Sequence, residues 1–138
     1  VIFYDIKKIK KFKNKKIRKV SLDELFKKSD IVISCCDLNK SSFNLIDLKK
    51  MKLMKKNSGI INISRGGVVN ENDLVKCLKK NISFAGLDVF HKEPIIKKNE
   101  LFKMDNCILS SHNAFNTVEE VLKVNINTLN NLYKGLKI

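Results

Sequence analysis

Three short segments carry residue types that do chemistry when brought together. They are Asn62-Ile63-Ser64-Arg65-Gly66-Gly67, then Gly86-Leu87-Asp88-Val89-Phe90 followed by Glu93-Pro94, then the stretch 106–111 leading into His112. A guanidinium can grip a carboxylate through two parallel hydrogen bonds while polarising a carbonyl beside it. An imidazole titrates near neutral pH and can give or take a proton, and a carboxylate on its second ring nitrogen fixes the tautomer. Asp5, at the end of an apolar run over residues 1–4, is a weaker signal. A carboxylate there either accepts hydrogen bonds from an adenosine ribose or only shapes a turn, and spacing leaves both open.

The elements that must position these residues follow a rhythm. Residues 1–4 read as a short strand, and residues 17–20 as a short edge strand beyond a lysine-rich stretch. Ser21-Leu22-Asp23-Glu24 has the S-x-x-E form of a capping box, which predicts a helix to about Lys28. Residues 30–34 are rich in β-branched side chains and predict a buried strand; residues 59–63 predict a second, opening into the Arg65 turn. A polar loop and a short helix around 45–54 lie between them. Asn70 is placed to cap a helix through Lys79, with Leu74, Val75 and Leu78 on one face.

Strands follow at 84–89 and 107–110, and a second capping box, Thr117-Val118-Glu119-Glu120, opens a long helix with Val121, Leu122, Val124, Leu129 and Leu132. Short apolar strands alternating with helices predict an α/β fold: a parallel sheet with helices on both faces. Ligands of such sheets bind beyond the carboxyl ends of the strands, where the residues above fall, and the two glycines after Arg65 are expected to leave room for one.

In these motifs and their order, the chain resembles the D-isomer-specific 2-hydroxyacid dehydrogenases, the family of phosphoglycerate, D-lactate and glycerate dehydrogenases. The likeness runs from Phe3-Tyr4-Asp5 through Leu22-Asp23-Glu24-Leu25 and Ser29-Asp30-Ile31-Val32 to the final helix. It implies a doubly wound, Rossmann-like NAD-binding domain and the NAD-dependent interconversion of a small 2-hydroxy acid and its 2-keto acid. By the same resemblance Arg65 anchors the substrate, His112 is the acid/base and Glu93 holds the other ring nitrogen. The cofactor side would comprise Asp5 at the ribose and Cys36 and Asp37 in the loop after residues 30–34. Ile63 and Ser64 would line the nicotinamide, Asp88 would stand near its carboxamide, and Arg65, His112 and Ala114 would complete the set. His91 receives no role, and the full-length parent is expected to be a homodimer.

The chain also departs from the family pattern. Cys35 and Asp37 stand where a histidine and a proline are usual, so a new carboxylate beside the adenosine is expected to weaken cofactor binding or alter the loop. Ser111 replaces the proline that normally precedes the catalytic histidine. His112-Asn113-Ala114-Phe115-Asn116-Thr117 is similar to the D-lactate type in its Ala-Phe-x-Thr part, with Asn113 atypical.

No G-x-G-x-x-G occurs in the 138 residues, although the resemblance begins at the strand that should follow it. The expectation is a fragment, nearly inactive in isolation, lacking its first strand, glycine loop and first helix. Residues 1–116 would be an incomplete NAD-binding domain and 117–138 the helix that in the family leads back to the substrate domain. The missing strand would lie between the strands at 1–4 and 30–34, so their edges should face a gap or pair with each other. The alternative reading is a non-catalytic, NADH-responsive interaction module of the same fold.

Composition bounds the rest. A formal net charge of +14 raises nucleic-acid binding. Lysine supplies nearly all of it, arginine occurs only at positions 18 and 65, and few aromatic residues are interleaved for base stacking, so no nucleic-acid partner is expected. Cys35, Cys36, Cys77 and Cys107 with two histidines give no zinc spacing; they read as small buried or half-buried apolar residues in a reducing compartment, with no metal. No apolar run reaches the roughly 18 residues of a membrane span and no secretory signal pattern opens the chain, so a soluble, cytoplasmic protein with no membrane partner is expected.

Overall fold

The computed structural model describes residues 1–9 and 16–136; residues 10–15 of the lysine-rich stretch and residues 137–138 of the predicted last helix lie outside them. Strands β1 (Ile2–Phe3) and β2 (Arg18–Lys19) form a two-stranded parallel sheet. Helix α1 (Leu22–Lys28) starts where the sequence predicts, because the Ser21 hydroxyl accepts from the Glu24 N–H at 3.2 Å. The Glu24 carboxylate does not stay with the cap: its Oε1 takes Lys28 and Arg18 instead.

Then come β3 (Ile31–Ser34), α2 (Leu48–Met51) capped by Asp47, β4 (Gly59–Asn62) and α3 (Glu71–Leu78), where the Asn70 side chain accepts from the Asp73 N–H. β5 (Phe84–Leu87), β6 (Cys107–Leu109) and α4 (Val118–Leu136) complete the chain, Thr117 Oγ1 accepting from the Glu120 N–H. The four long-range strands pair in parallel in the order β3-β4-β5-β6. β1 and β3 lie in different sheets and do not pair with each other.

The core lies on one face of that sheet. Val32, Ile60 and Ala85, in register across three strands, meet Phe26 of α1, Met51 of α2 and Leu74 of α3. Fully burying a side chain such as Phe26 or Leu74 stabilises by roughly 1.5–3 kcal/mol. The opposite face departs from the expectation of a buried β3 and helices on both sides. Ile31 and Ile33 alternate outward at 49% and 54% exposure, and Ile108 of β6 is 77% exposed. Among the described residues α1, α2 and α3 cover one face only, and α4 buries no residue.

The cysteines divide. Cys77 is buried and Cys107 half-buried, and burial raises both thiols, that of Cys107 to about 11. Cys35 and Cys36 are exposed, which corrects the buried reading for this pair: both lie just past β3, where the chain leaves the sheet. Among the described residues no helix is long and apolar enough to cross a membrane, and no group of three His, Cys, Asp or Glu is arranged to hold a metal ion.

Candidate active site

Because β3 to β6 are parallel, their carboxyl ends open on one edge of the sheet, and the turns there carry the residues singled out above. Asn62, the last residue of β4 and 1% exposed, organises the first turn. Its Oδ1 accepts from the Ser64 hydroxyl at 2.9 Å and the Ser64 N–H at 3.2 Å, and its Nδ2 donates to the Arg65 carbonyl at 3.1 Å. Since the Ser64 proton goes to Asn62, the 2.7 Å contact between Ser34 and Ser64 has Ser34 as donor. The end of β3 is thereby tied to the Arg65 turn. The Arg65 side chain is exposed, with Nη1 donating to the Ser64 carbonyl at 2.7 Å.

The space beside the glycines is filled by protein, which corrects the expectation that they leave room for a ligand. A Cβ on Gly66 would lie 1.9 Å from the Phe90 carbonyl carbon and 2.3 Å from the His91 nitrogen. One on Gly67 would meet Leu38 Cδ2 at 3.0 Å. What Gly66 permits is backbone-to-backbone contact between the Arg65 turn and the segment leading to Glu93.

Glu93, which precedes a cis Pro94, accepts from the Phe90 N–H at 2.9 Å through Oε1. Its Oε2 lies 2.8 Å from Nδ1 of His112. An ionised carboxylate has no proton to give, so Nδ1 donates and Nε2 is left for another partner. The hydrogen bond from His112, then that from Phe90, hold the Glu93 carboxyl below its ordinary range against the opposing pull of burial; the charges of His112 and Arg65 act in the same direction. The side chains of His112 and Glu93 are 42% and 37% exposed, so a small molecule can reach the imidazole.

Asp88, one residue beyond β5 and 4% exposed, binds the loop that carries His112. Its Oδ1 accepts from the Ser110 hydroxyl at 2.6 Å and the Asn113 N–H at 2.9 Å, and its Oδ2 from the Ala114 N–H at 2.9 Å. Burial pulls this carboxyl upward, but the hydrogen bonds from Ser110, Ala114 and Asn113, with the charge of His112, leave it net below the usual value. Within the loop His112 has φ 58°, the left-handed region, which costs a non-glycine residue roughly 1–2 kcal/mol.

The structure thus brings Arg65, Glu93, Asp88, His112 and Ala114 to one edge, with Ile63 47% exposed and Ser64 buried beside them. Cys36 and Asp37 leave β3 on the same edge: Cys36 Sγ is 4.0 Å from Ser34 Oγ, and the Asp37 carbonyl accepts from Ser42 Oγ. Asp5 lies two residues beyond β1 of the other sheet, where its Oδ1 accepts from the Lys7 N–H at 2.7 Å and closes a turn. Sequence reasoning gave Asn62, Ser34 and Ser110 no role of their own. For Asn62 and Ser34 the detectable signal was a polar residue at the end of an apolar strand, where burial demands partners.

The family model described as D-isomer specific 2-hydroxyacid dehydrogenase, NAD binding domain, matches residues 1–114. The chain belongs to this family. Over 92 residues the chain is 47% identical to the glyoxylate reductase of Pyrococcus horikoshii, a match covering 66% of the chain and 27% of that protein. It is 34% identical over 138 residues to the hydroxypyruvate reductase of Blautia hydrogenotrophica, covering 99% of the chain and 43% of the relative. The chain therefore spans less than half the length of either relative. Among solved structures, the D-lactate dehydrogenase from Aquifex aeolicus complexed with NAD and lactic acid superposes with a TM-score of 0.82 at 27% identity, covering 99% of this chain and 46% of that one. The parallel sheet of the chain is Rossmann-like, as the family resemblance implied.

Proposed function

We propose that the chain serves an NAD-dependent oxidoreductase acting on the CH–OH group of a small 2-hydroxy acid, or in reverse on the 2-keto acid. The observation that carries this reading is the His112–Glu93 pair at 2.8 Å, standing where the Arg65 turn packs against the Phe90 and His91 backbone. Arg65 grips the substrate carboxylate and polarises the adjacent carbonyl. His112, its Nδ1 held by Glu93, delivers a proton from Nε2 to the carbonyl oxygen as the alcohol forms, and removes it in the reverse direction.

The residues present fit the cofactor by the chemistry of their donor set. Exposed Ile63 would offer an apolar face to a nicotinamide, with Cys36, Asp37 and Ala114 bordering the same edge, and Asp5, beyond β1 and with Oδ1 taken by the Lys7 N–H, would accept from ribose hydroxyls through Oδ2. When bound, the reduced dinucleotide supplies the hydride. The same reading makes residues 1–116 the nucleotide-binding part and 117–138 the helix leading to a substrate domain, in a cytoplasmic homodimer.

The test is a hybrid in which residues 1–138 replace the matching segment of the Blautia relative. Screened against small 2-keto acids, it should oxidise NADH only when a keto acid is present. A folded hybrid that binds NADH yet oxidises it with none of them would sink the proposal.

A further inference from the structure

We infer that Asp88 is a positioning residue for His112, its buried carboxylate clamping residues 110–114 so that the imidazole is presented to Glu93 and the substrate. The inference rests on the reading of His112 as acid/base, but its geometry stands apart from any turnover. Asp88 is mounted on the sheet: its N–H donates to the Asn62 carbonyl at 3.0 Å, and the Asn62 amide in turn holds the Arg65 turn. Asp88, at the end of β5, therefore links the ends of β4 and β6, the strands on either side that carry the anchor and the acid/base.

The clamp requires a carboxylate. A hydroxyl from Ser110 and the N–H groups of Asn113 and Ala114 converge on Asp88, and two of the three are donors only. An amide would turn its NH2 group towards one of them and lose at least one hydrogen bond. Both oxygens are occupied by this loop, so the carboxylate is already engaged by protein. The loop needs the restraint, because His112 is held at φ 58° and Ser111 before it lacks the ring that would fix its own φ.

The 138-residue chain itself supplies the test by NMR. The readouts are the His112 Nδ1–H resonance of the bond to Glu93 and hydrogen exchange at the Asn113 and Ala114 amides. Asp88→Asn should lower protection of those two amides by about tenfold, the effect of losing one net hydrogen bond, and should lose the His112 Nδ1–H signal to solvent exchange. Amides of β4 should stay within about twofold of the original, which a general loss of stability would not allow. Ser110→Ala, which leaves both N–H bonds, should keep the His112 signal and lower the two protections about two- to fivefold.

An Asp88→Asn chain that folds with both readouts unchanged overturns the inference. Should that variant not fold, Ser110→Ala decides, and unchanged protection there overturns it. An inactive hybrid with these NMR effects intact would remove only the catalytic reading.

Discussion

Nδ1 of His112 lies 2.8 Å from Oε2 of Glu93, across 19 residues of chain. The contact joins a residue after β5 to one after β6, and it exists because two parallel neighbouring strands end at the same edge. A carboxylate in this place orients the ring, while the partly exposed setting leaves Nε2 accessible.

Glu93→Gln should therefore lower kcat of the hybrid by about 100-fold, the low end of a positioned acid/base effect, with a smaller change in KM. The same contact gives the chain a pH dependence. The Glu93 carboxyl is depressed in the fold, so its contribution to stability is complete above the unfolded value of 4.5 and is lost as pH falls through the lower folded value. Urea unfolding between pH 3 and pH 6, taken as about that window, should show this component in the original chain and lack it in Glu93→Gln. An identical acid profile for both would count against the pairing.

Gly66 and Gly67 should differ sharply. A methyl group at Gly66 meets backbone atoms at 1.9 to 2.3 Å, whereas at Gly67 it meets the ends of the Leu38 side chain at 3.0 and 3.2 Å. Gly66→Ala should destabilise by about 3 kcal/mol, at the upper end of overpacking costs, and Gly67→Ala by less than about 1 kcal/mol. Equal shifts in the urea midpoint would contradict the close approach of the Arg65 turn to the Phe90 and His91 backbone.

Arg65→Lys keeps the positive charge and removes the planar fork. In the hybrid, kcat/KM for the keto acid should fall about 10- to 100-fold, with NADH binding changed much less. The measurement is steady-state kinetics beside fluorescence titration of NADH. A lysine variant with unaltered kcat/KM would remove Arg65 from the substrate.

Cofactor choice is expected to follow Asp5. Its carboxylate repels a 2′-phosphate and accepts from free ribose hydroxyls, so the hybrid should prefer NADH. Asp5→Ser should shift the NADPH/NADH ratio of kcat/KM upward by about tenfold, a change of about 1.4 kcal/mol. Equal or better use of NADPH while Asp5 is retained would hand control of the adenosine site to Lys7, Lys8 or Asp37.

Local chemistry was legible from the chain itself. Ser21, Asn70 and Thr117 cap helices because each partner N–H lies three residues further on, and that spacing is written in the sequence. The strand positions and the order of Arg65, Glu93 and His112 followed from apolar runs and motifs in the same way. Tertiary structure decided what depends on distant partners. Apolar residues at 31 and 33 record hydrophobicity, but not whether another layer covers them, and both face outward. The backbone that fills the place of a Gly66 side chain comes from residues 90 and 91, and the donors to Asp88 come from residues 110–114. A hydrogen bond or a steric contact is set by separation in space, and only folding brings segments this far apart in the chain to within 3 Å of each other.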